Sequence, residues 1–482
     1  MKKNWLHLVM VLALAVFLNA CKKGGGSGDP TPDPVNPPTA GGPIFPRKEV
    51  RAVWMTTVWG LDWPQGAYSM ESQKQQYINY LEKFKTLNIN TIYFQVKGMG
   101  DAFYSSPYEP WSQYITGTRG KDPGYDVLKF MIDEAHARNI EFHAWMNPYR
   151  VGTRTATTSF AALHHTIDAS WVVDFPEIRI YNPALPKVRE RLVDIVKDMI
   201  TKYDVDGIHF DDYFYPEGVT LADQADYATY GAGISTIQEF RRENVNKAIK
   251  GVYDAIVATK PGVIFSVSPA PDINKNYNSL YADVRKWNEQ GWVDVVIPQL
   301  YHEIGHPTSD FRARLANWTN ISYKAALMVG HGYYRFGDPS AGAAFQSVDE
   351  LQRQFDMSRL NQKVVGNVQY RALSLNDNKI GITNKLATIY KDPALIPFLG
   401  RAVAAVPAAA TNVRIEGGEL KWSTSGSVKS VVYYFADSKK EGKVLAITTA
   451  SSIAASANGH YAVSTINVDN QESKPSDLVE KK

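Results

Sequence analysis

Two consecutive carboxylates, Asp211 and Asp212, close the apolar run Gly207-Ile208-His209-Phe210. If that run is a strand, Ile208 and Phe210 share one face, and Gly207, His209 and Asp211 share the other. Asp212 follows where strand gives way to loop, and can turn to the same side. Adjacent carboxylates in a crowded place are expensive to hold charged. They serve a proton, a cation or a developing positive charge. The structural alternative is an Asp that caps a helix or pairs with Arg150.

Other polar and aromatic residues gather at comparable places. Lys97 ends Gln95-Val96-Lys97. His143, Trp145, Asn147, Tyr149 and Arg150 lie in His143-Ala144-Trp145-Met146-Asn147-Pro148-Tyr149-Arg150. Tyr213 follows the two aspartates, Ser268 ends Ser266-Val267-Ser268, and Gln299 and Tyr301 lie in Pro298-Gln299-Leu300-Tyr301. Gln299 is polar on an apolar strand, which implies a buried hydrogen bond. Lys97 and Arg150 are suited to hold substrate oxygens or to keep the aspartates ionised. Trp145, Tyr213 and Tyr301 are suited to stacking. His143 and His209 read first as hydrogen-bonded wall residues, with metal ligation as the alternative. No His-x-His pair supports a zinc site, so no metal or cofactor is expected. Asp101, Glu109 and Glu303 are loop carboxylates, any of which is placed to reach over a site as a second acid.

The elements that must position these residues alternate. Strand-like runs occur at 49–58, 90–97, 140–147, 207–212, 263–269, 293–301, 325–330 and 366–373. Helical patterns follow at 72–87, 125–138, 186–203, 238–260, 281–290, 311–321 and 348–361, with a weaker one near 389–399. Strand–helix repeated eight times predicts an α/β fold, a (β/α)8 TIM barrel over 49–401, whose site lies at the C-terminal strand ends. An open doubly wound sheet is the competitor. It lacks its Gly-rich turn after the first strand, where Met55-Thr56-Thr57-Val58-Trp59 stands instead. From 402 onward an Ala/Val/Pro linker leads into short alternating segments at 411–415, 419–423, 428–435, 442–447 and 460–468. These predict a small all-β sandwich over 402–482, similar to a fibronectin type III module.

Residues 1–21 resemble a bacterial lipoprotein signal. Lys2 and Lys3 precede an apolar run from Leu8 to Leu18, too short for a bilayer core of roughly 30 Å. Leu18-Asn19-Ala20-Cys21 resembles a lipobox, which implies cleavage before Cys21 and acyl chains on it. Residues 22–48 are rich in Gly, Ser, Pro and Thr and predict a flexible tether. The expected location is the bacterial cell envelope, with the membrane as a partner through Cys21. As the one cysteine, Cys21 leaves none for an intrachain disulfide. A net charge of +3 with interspersed signs gives no basic stripe for nucleic acid. Eleven Trp and 27 Tyr suit the flat apolar faces of sugar rings.

Long, ordered blocks carry a resemblance. They are Asn90–Lys97 with Gly100-Asp101-Ala102-Phe103-Tyr104 and Pro110-Trp111-Ser112, then His143–Arg150, then Val205–Pro216, then Trp287, Gly291, Asp294 and Pro298–Tyr301. Over about Glu49 to Leu399 the chain resembles the glycoside-hydrolase-like family 10, or YngK-type, proteins. The resemblance implies a barrel glycosidase. Some members act on peptidoglycan glycan strands stripped of their peptides. The chain departs from the family pattern at Gly98, at Asn182-Pro183-Ala184 and at His302, the last where an aromatic indole is frequent.

The expected activity is therefore carboxylate-assisted hydrolysis of O-glycosidic bonds in a polysaccharide or glycan strand. Asp211 meets the oxocarbenium-like centre as nucleophile or base, and Asp212 or Glu303 protonates the leaving oxygen. Lys97, His143, Asn147, Tyr149, Arg150, His209, Ser268 and Gln299 are expected around the sugar, with Trp145, Tyr213 and Tyr301 as walls. The rivals are a non-catalytic glycan-binding lipoprotein and a metal-dependent hydrolase built on His143, His209 and Asp211.

Overall fold

The computed structural model describes residues 42–218, 223–321 and 324–482. The signal segment, Cys21 and residues 22–41 lie outside the described residues.

Eight parallel strands close into a barrel: Val50–Met55, Thr91–Lys97, Glu141–Met146, Gly207–Phe210, Ile264–Val267, Val295–Val296, Ala326–Gly332 and Val364–Tyr370. Each pairs in parallel with its neighbours in sequence, and the first pairs with the last. All eight coincide with the apolar runs of the sequence, because each is buried on both faces. The inward residues Trp54, Tyr93, Trp145, Met328 and Val368 form one apolar cluster in the lumen. Ile208 and Phe210 belong to the separate core between strands and helices.

The helices follow their sequence signals closely. Pro186 opens the helix Pro186–Lys202, where its missing N–H costs little. Val188, Leu192, Ile195, Val196 and Met199 form its buried stripe. Thr236 caps Ile237–Thr259 by accepting the Glu239 N–H at 3.2 Å. One helix is corrected. The helix expected near 389–399 does not form beyond Ile389, since Pro393 and Pro397 interrupt the segment. The last barrel helix is Ile382–Ile389, with Ile382, Thr383 and Leu386 buried. The sequence also concealed an excursion after the third barrel strand. Arg150–Thr153, Val172–Asp174 and Ile178–Tyr181 form a small antiparallel sheet at the C-terminal side of the barrel.

The C-terminal region is a sandwich of two antiparallel sheets. Thr411–Glu416, Glu419–Ser423 and Ser452–Ala454 form one; Lys443–Thr448, Lys429–Phe435, Gly459–Ile466 and Val479–Lys481 form the other. The short strands at 452–454 and 479–481 escaped the sequence pattern. The sandwich packs under the barrel, at the end where strands begin. There Leu395 joins Val431, Tyr433 and Phe435 in one apolar cluster, and Asn470 donates to Glu141 at 2.6 Å.

The predicted tether is corrected at its end. Residues 42–48 form a strap held by both domains. Ile44 bridges Glu441, and Phe45 meets Tyr433 and Phe435 edge-on at 4.9 and 5.2 Å. Arg47 donates to the carbonyls of Arg359 and Val364, and Lys48 pairs with Glu472 at 3.1 Å. A Pro/Gly-rich composition hid one aromatic anchor, Phe45.

Candidate active site

The fourth strand sets up the site. A Cβ at Gly207 would stand 2.1 Å from His143 Nδ1, so the absence of a side chain there makes room for the imidazole in the lumen. His143 Nε2 turns to Glu141 at 3.2 Å, at the floor of the barrel. Two residues above Gly207, His209 sits fully buried between Trp54 and Ser266. Indole N–H only donates, so the 3.1 Å contact from Trp54 Nε1 makes His209 Nε2 an acceptor. The proton is then on Nδ1, which meets Ser266 Oγ at 2.8 Å. Burial and the nearby His143 hold His209 well below the usual imidazole range, hence neutral.

Asp211 emerges one residue above Phe210 and is 7% exposed. Its Oδ1 accepts Gln299 Nε2 at 3.1 Å and the Asp212 backbone N–H at 2.8 Å. The same Gln299 nitrogen also donates to Ser268 O at 3.1 Å, which fixes the amide. Burial pushes Asp211 well above the usual carboxylate range, and the Asp212 charge pushes it further. Burial likewise raises Asp212. The Arg150 guanidinium pulls both back. A pair this close holds one proton between two carboxylates more readily than two negative charges.

Asp212 lines a cavity of about 320 Å³ together with Arg150, Tyr213, Tyr215, Ile178, Ile180 and Lys275. Arg150 is 5% exposed and lies 3.4 Å from the Tyr213 ring centroid, a cation–π stack that presents the guanidinium to the cavity. Arg150 Nε is buried without a hydrogen-bond partner. Glu217, the other carboxylate on the lining, is ion-paired with Lys275.

A tyrosine wall stands beside the aspartates. Tyr301 stacks on Tyr370 with centroids 5.6 Å apart and planes at 17°. Tyr334 meets both edge-on at 6.2 and 5.9 Å. Trp54 supports the pair from below, 6.4 Å from Tyr301 and 6.2 Å from Tyr370. Burial raises both phenols, and the Asp211 charge contributes to each. Of the three, Tyr301 alone stands among the residues expected from the sequence. Tyr334 and Tyr370 follow or end the seventh and eighth strands, so the strand-end rule that picked out Asp211 also points to them.

The structure thus brings together Asp211, Asp212, Arg150, Tyr213, Gln299, Ser268 and Tyr301. It places others beneath or beside the site, most of them with their polar atoms engaged and Tyr149 with its buried hydroxyl unpartnered. Trp145 Nε1 donates to Asn147 Oδ1 at 3.0 Å, and Asn147 Nδ2 donates to Gly98 O at 3.1 Å. Lys97 donates to Met99 O at 2.6 Å and faces Glu109 at 3.7 Å, away from the aspartates. Tyr149 is fully buried against Phe214. His143 and His209 lie in the lumen below. Glu303, a candidate acid, is not on the cavity lining; its Oε1 lies against Gly342. His143, His209 and Asp211 do not converge as metal ligands, because the Nε2 lone pair of His209 faces Trp54 and His143 Nε2 faces Glu141. Among the described residues no three His, Cys, Asp or Glu side chains cluster at ligand spacing.

Comparison with known proteins gives a family and relatives. The family described as Glycosyl hydrolase-like 10 matches residues 49–344. Glycosyl hydrolase YngK of Bacillus subtilis (strain 168) is 37% identical over 376 residues, covering 73% of each chain. Glycosyl hydrolase DigH of Escherichia coli (strain K12) is 32% identical over 412 residues, covering 76% of this chain and 92% of that protein. Among solved structures, the glycoside hydrolase domain of PgaB (BpsB) from Bordetella bronchiseptica matches at a TM-score of 0.46 and 12% identity, covering 71% of this chain and 99% of that one.

Proposed function

We propose, from the premise that this chain belongs to the Glycosyl hydrolase-like 10 family, that it hydrolyses glycosidic bonds between 2-acetamido sugars in a glycan strand, with peptide-free peptidoglycan as the substrate. The observation that carries the reading is the Asp211–Asp212 pair, consecutive in chain and joined by the 2.8 Å hydrogen bond from the Asp212 N–H to Asp211 Oδ1, with Asp212 on the wall of a sugar-sized cavity. Two-carboxylate glycosidases hold their acid and their nucleophile or base about 5–9.5 Å apart, across the scissile bond. Asp211 and Asp212 stand side by side instead, and the one carboxylate that lines the cavity with Asp212, Glu217, is held by Lys275.

A side-by-side pair suits substrate-assisted chemistry, in which the sugar supplies its own nucleophile. The acetamido carbonyl oxygen attacks C1 as the C1–O bond breaks. Asp212, which lines the cavity, passes the proton that the pair shares to the leaving oxygen. Asp211 receives the acetamido N–H and offsets the positive charge of the cyclic oxazolinium. Water then opens that ring at C1, returning its proton to Asp212. Arg150 and Gln299 keep the pair from taking up a second proton, and the tyrosine wall gives the sugar an apolar face. Acylation of Cys21 would tether the enzyme to a membrane of the cell envelope, close to such a polymer.

The test is product release. The soluble body is incubated with peptide-free peptidoglycan glycans and with cellulose and xylan fragments lacking the 2-acetamido group. New reducing ends from the first alone, abolished in Asp211→Asn and blocked by a thiazoline analogue of the bicyclic intermediate, support the reading. Release from the plain glucan or xylan overturns the assisted mechanism. Saturable binding with no release from any glycan assigns the barrel to glycan capture instead.

A further inference from the structure

We infer a second saccharide-binding site, built around Glu109, Trp111 and His164 on the far face of the strand Ile178–Tyr181. Along that strand Ile178 and Ile180 face the aspartate cavity. Tyr181 points the other way and donates its hydroxyl to Glu109 Oε1 at 2.8 Å. Glu109 lines an open hollow of about 340 Å³ with Trp111, Ser105, Ser106, His164 and His165.

Two features mark this hollow as more than a surface dent. The Glu109 side chain is fully buried and held by Lys97 at 3.7 Å and Arg191 at 3.8 Å, yet its Oε2 has no hydrogen-bond partner. A buried carboxylate oxygen without a donor is costly, and a ligand donor would relieve it. The second feature is the tautomer of His164. Thr166 Oγ1 spends its one proton on Tyr108 O at 2.6 Å. It must therefore accept from His164 Nδ1 at 2.9 Å, which leaves Nε2 of His164 as an acceptor. Burial and the neighbouring His165 and Arg119 keep that imidazole neutral. Ser106 Oγ accepts the N–H groups of Tyr108 and Glu109 at 3.1 and 3.3 Å and has the Tyr104 phenol as its own partner.

The hollow thus offers two acceptors and the half-buried indole of Trp111. Its complement is a molecule with several hydroxyl donors and a flat apolar face, which describes a neutral pyranose ring. An anion would meet only acceptors at Glu109 and His164. A divalent cation would face Lys97 and Arg191 already on the same carboxylate. The site takes a sugar residue of a glycan whose cleaved bond lies on the other side of the strand, and in that sense it rests on the proposed function.

The test measures binding without turnover. The full mature chain carrying Asp211→Asn is titrated calorimetrically with the hexasaccharides of N-acetylglucosamine, glucose and xylose. At least one probe is expected to bind at two sites. Adding Trp111→Ala or His164→Ala, both partly exposed positions, should weaken one site by about tenfold and leave the other unchanged. Unchanged isotherms in both variants, or no binding by any probe, overturn the proposal. Cleavage by the wild-type chain is scored separately, so failure of the hydrolytic reading and failure of this site are read from different experiments.

Discussion

Gln299 is the residue through which the charge state of the aspartate pair can be moved without touching either aspartate. Its Nε2 lies 3.1 Å from Asp211 Oδ1 and 3.1 Å from Ser268 O. Gln299→Met keeps the length of the side chain and removes both donations. A hydrogen bond to a charged group contributes about 1.5–3 kcal/mol, and one pKa unit corresponds to about 1.4 kcal/mol. The Asp212 N–H remains on the same oxygen, so the lower end of that range applies. The donor favours the ionised carboxylate; without it the pair holds protons more tightly. Both limbs of the kcat/KM–pH profile should therefore move up by about one unit. The assay is release of reducing ends from peptide-free glycan across the pH range, with thermal unfolding alongside to show a folded barrel. A profile that falls in height without moving, or that moves to lower pH, would refute the argument, because the amide would then be positioning substrate and not setting the charge of Asp211.

Three further outcomes follow from the same geometry. Gly207→Ala puts a Cβ 2.1 Å from His143 Nδ1 and should cost at least about 3 kcal/mol of stability by urea denaturation; His143→Ser in the same chain should recover part of that loss, and failure to recover it would place the strain elsewhere. Asp62 accepts Thr56 N–H at 2.7 Å and Leu373 N–H at 3.0 Å, and burial pushes its carboxyl up to about 6 from 3.8. A carboxyl raised in the folded state gives stability that is complete below about pH 4 and lost as pH climbs to 6. Its contribution, about 3 kcal/mol, should disappear from the difference in urea midpoints between those pH values in Asp62→Asn; an identical pH dependence would remove Asp62 as its source. Cys21→Ala should shift the protein from the membrane pellet to the soluble fraction of cells, and continued sedimentation with membranes would reject the lipid anchor.

The barrel was legible because each of its strands lies in a mostly apolar run ended by polar residues and followed by a helical pattern, and that alternation has few alternative folds. Asp211 was legible because period-two alternation carries His209 inward and hence Asp211 as well. What escaped depends on distant contacts. Arg150–Thr153 is a strand only because Ile178–Tyr181 comes back to pair with it. Val295–Val296 is reduced to two ladder residues by Pro298 just beyond. Glu303 sat in the right loop for an acid, but its direction is set by a close approach to Gly342, some forty residues later. Tyr370 and Tyr334 were hidden in another way. Each is an ordinary tyrosine locally, and becomes part of a wall only through Tyr301 and Trp54.

The sandwich and the strap give the barrel a direction. Asn470 reaches Glu141, which in turn meets His143, so the C-terminal domain closes the end of the barrel where the strands begin. Residues 42–48 run along that closed end, and the first strand starts there at Val50. The aspartates open at the opposite end. A chain anchored at Cys21 has 21 peptide links before Gly42, which span at most about 75 Å. Whatever path they take, they join the protein on its closed side. A membrane-held molecule would then turn its sugar-binding mouth away from the lipid and toward a polymer lying beyond it. The floor domain would serve as the base that keeps strap and lumen together. The argument has a sharp consequence: moving the anchor to a loop at the mouth, for example next to Glu217, should leave hydrolysis of small soluble glycans intact while reducing attack on intact peptidoglycan sacculi. Equal attack on sacculi from both anchor positions would show that orientation has no part in how the enzyme reaches its substrate.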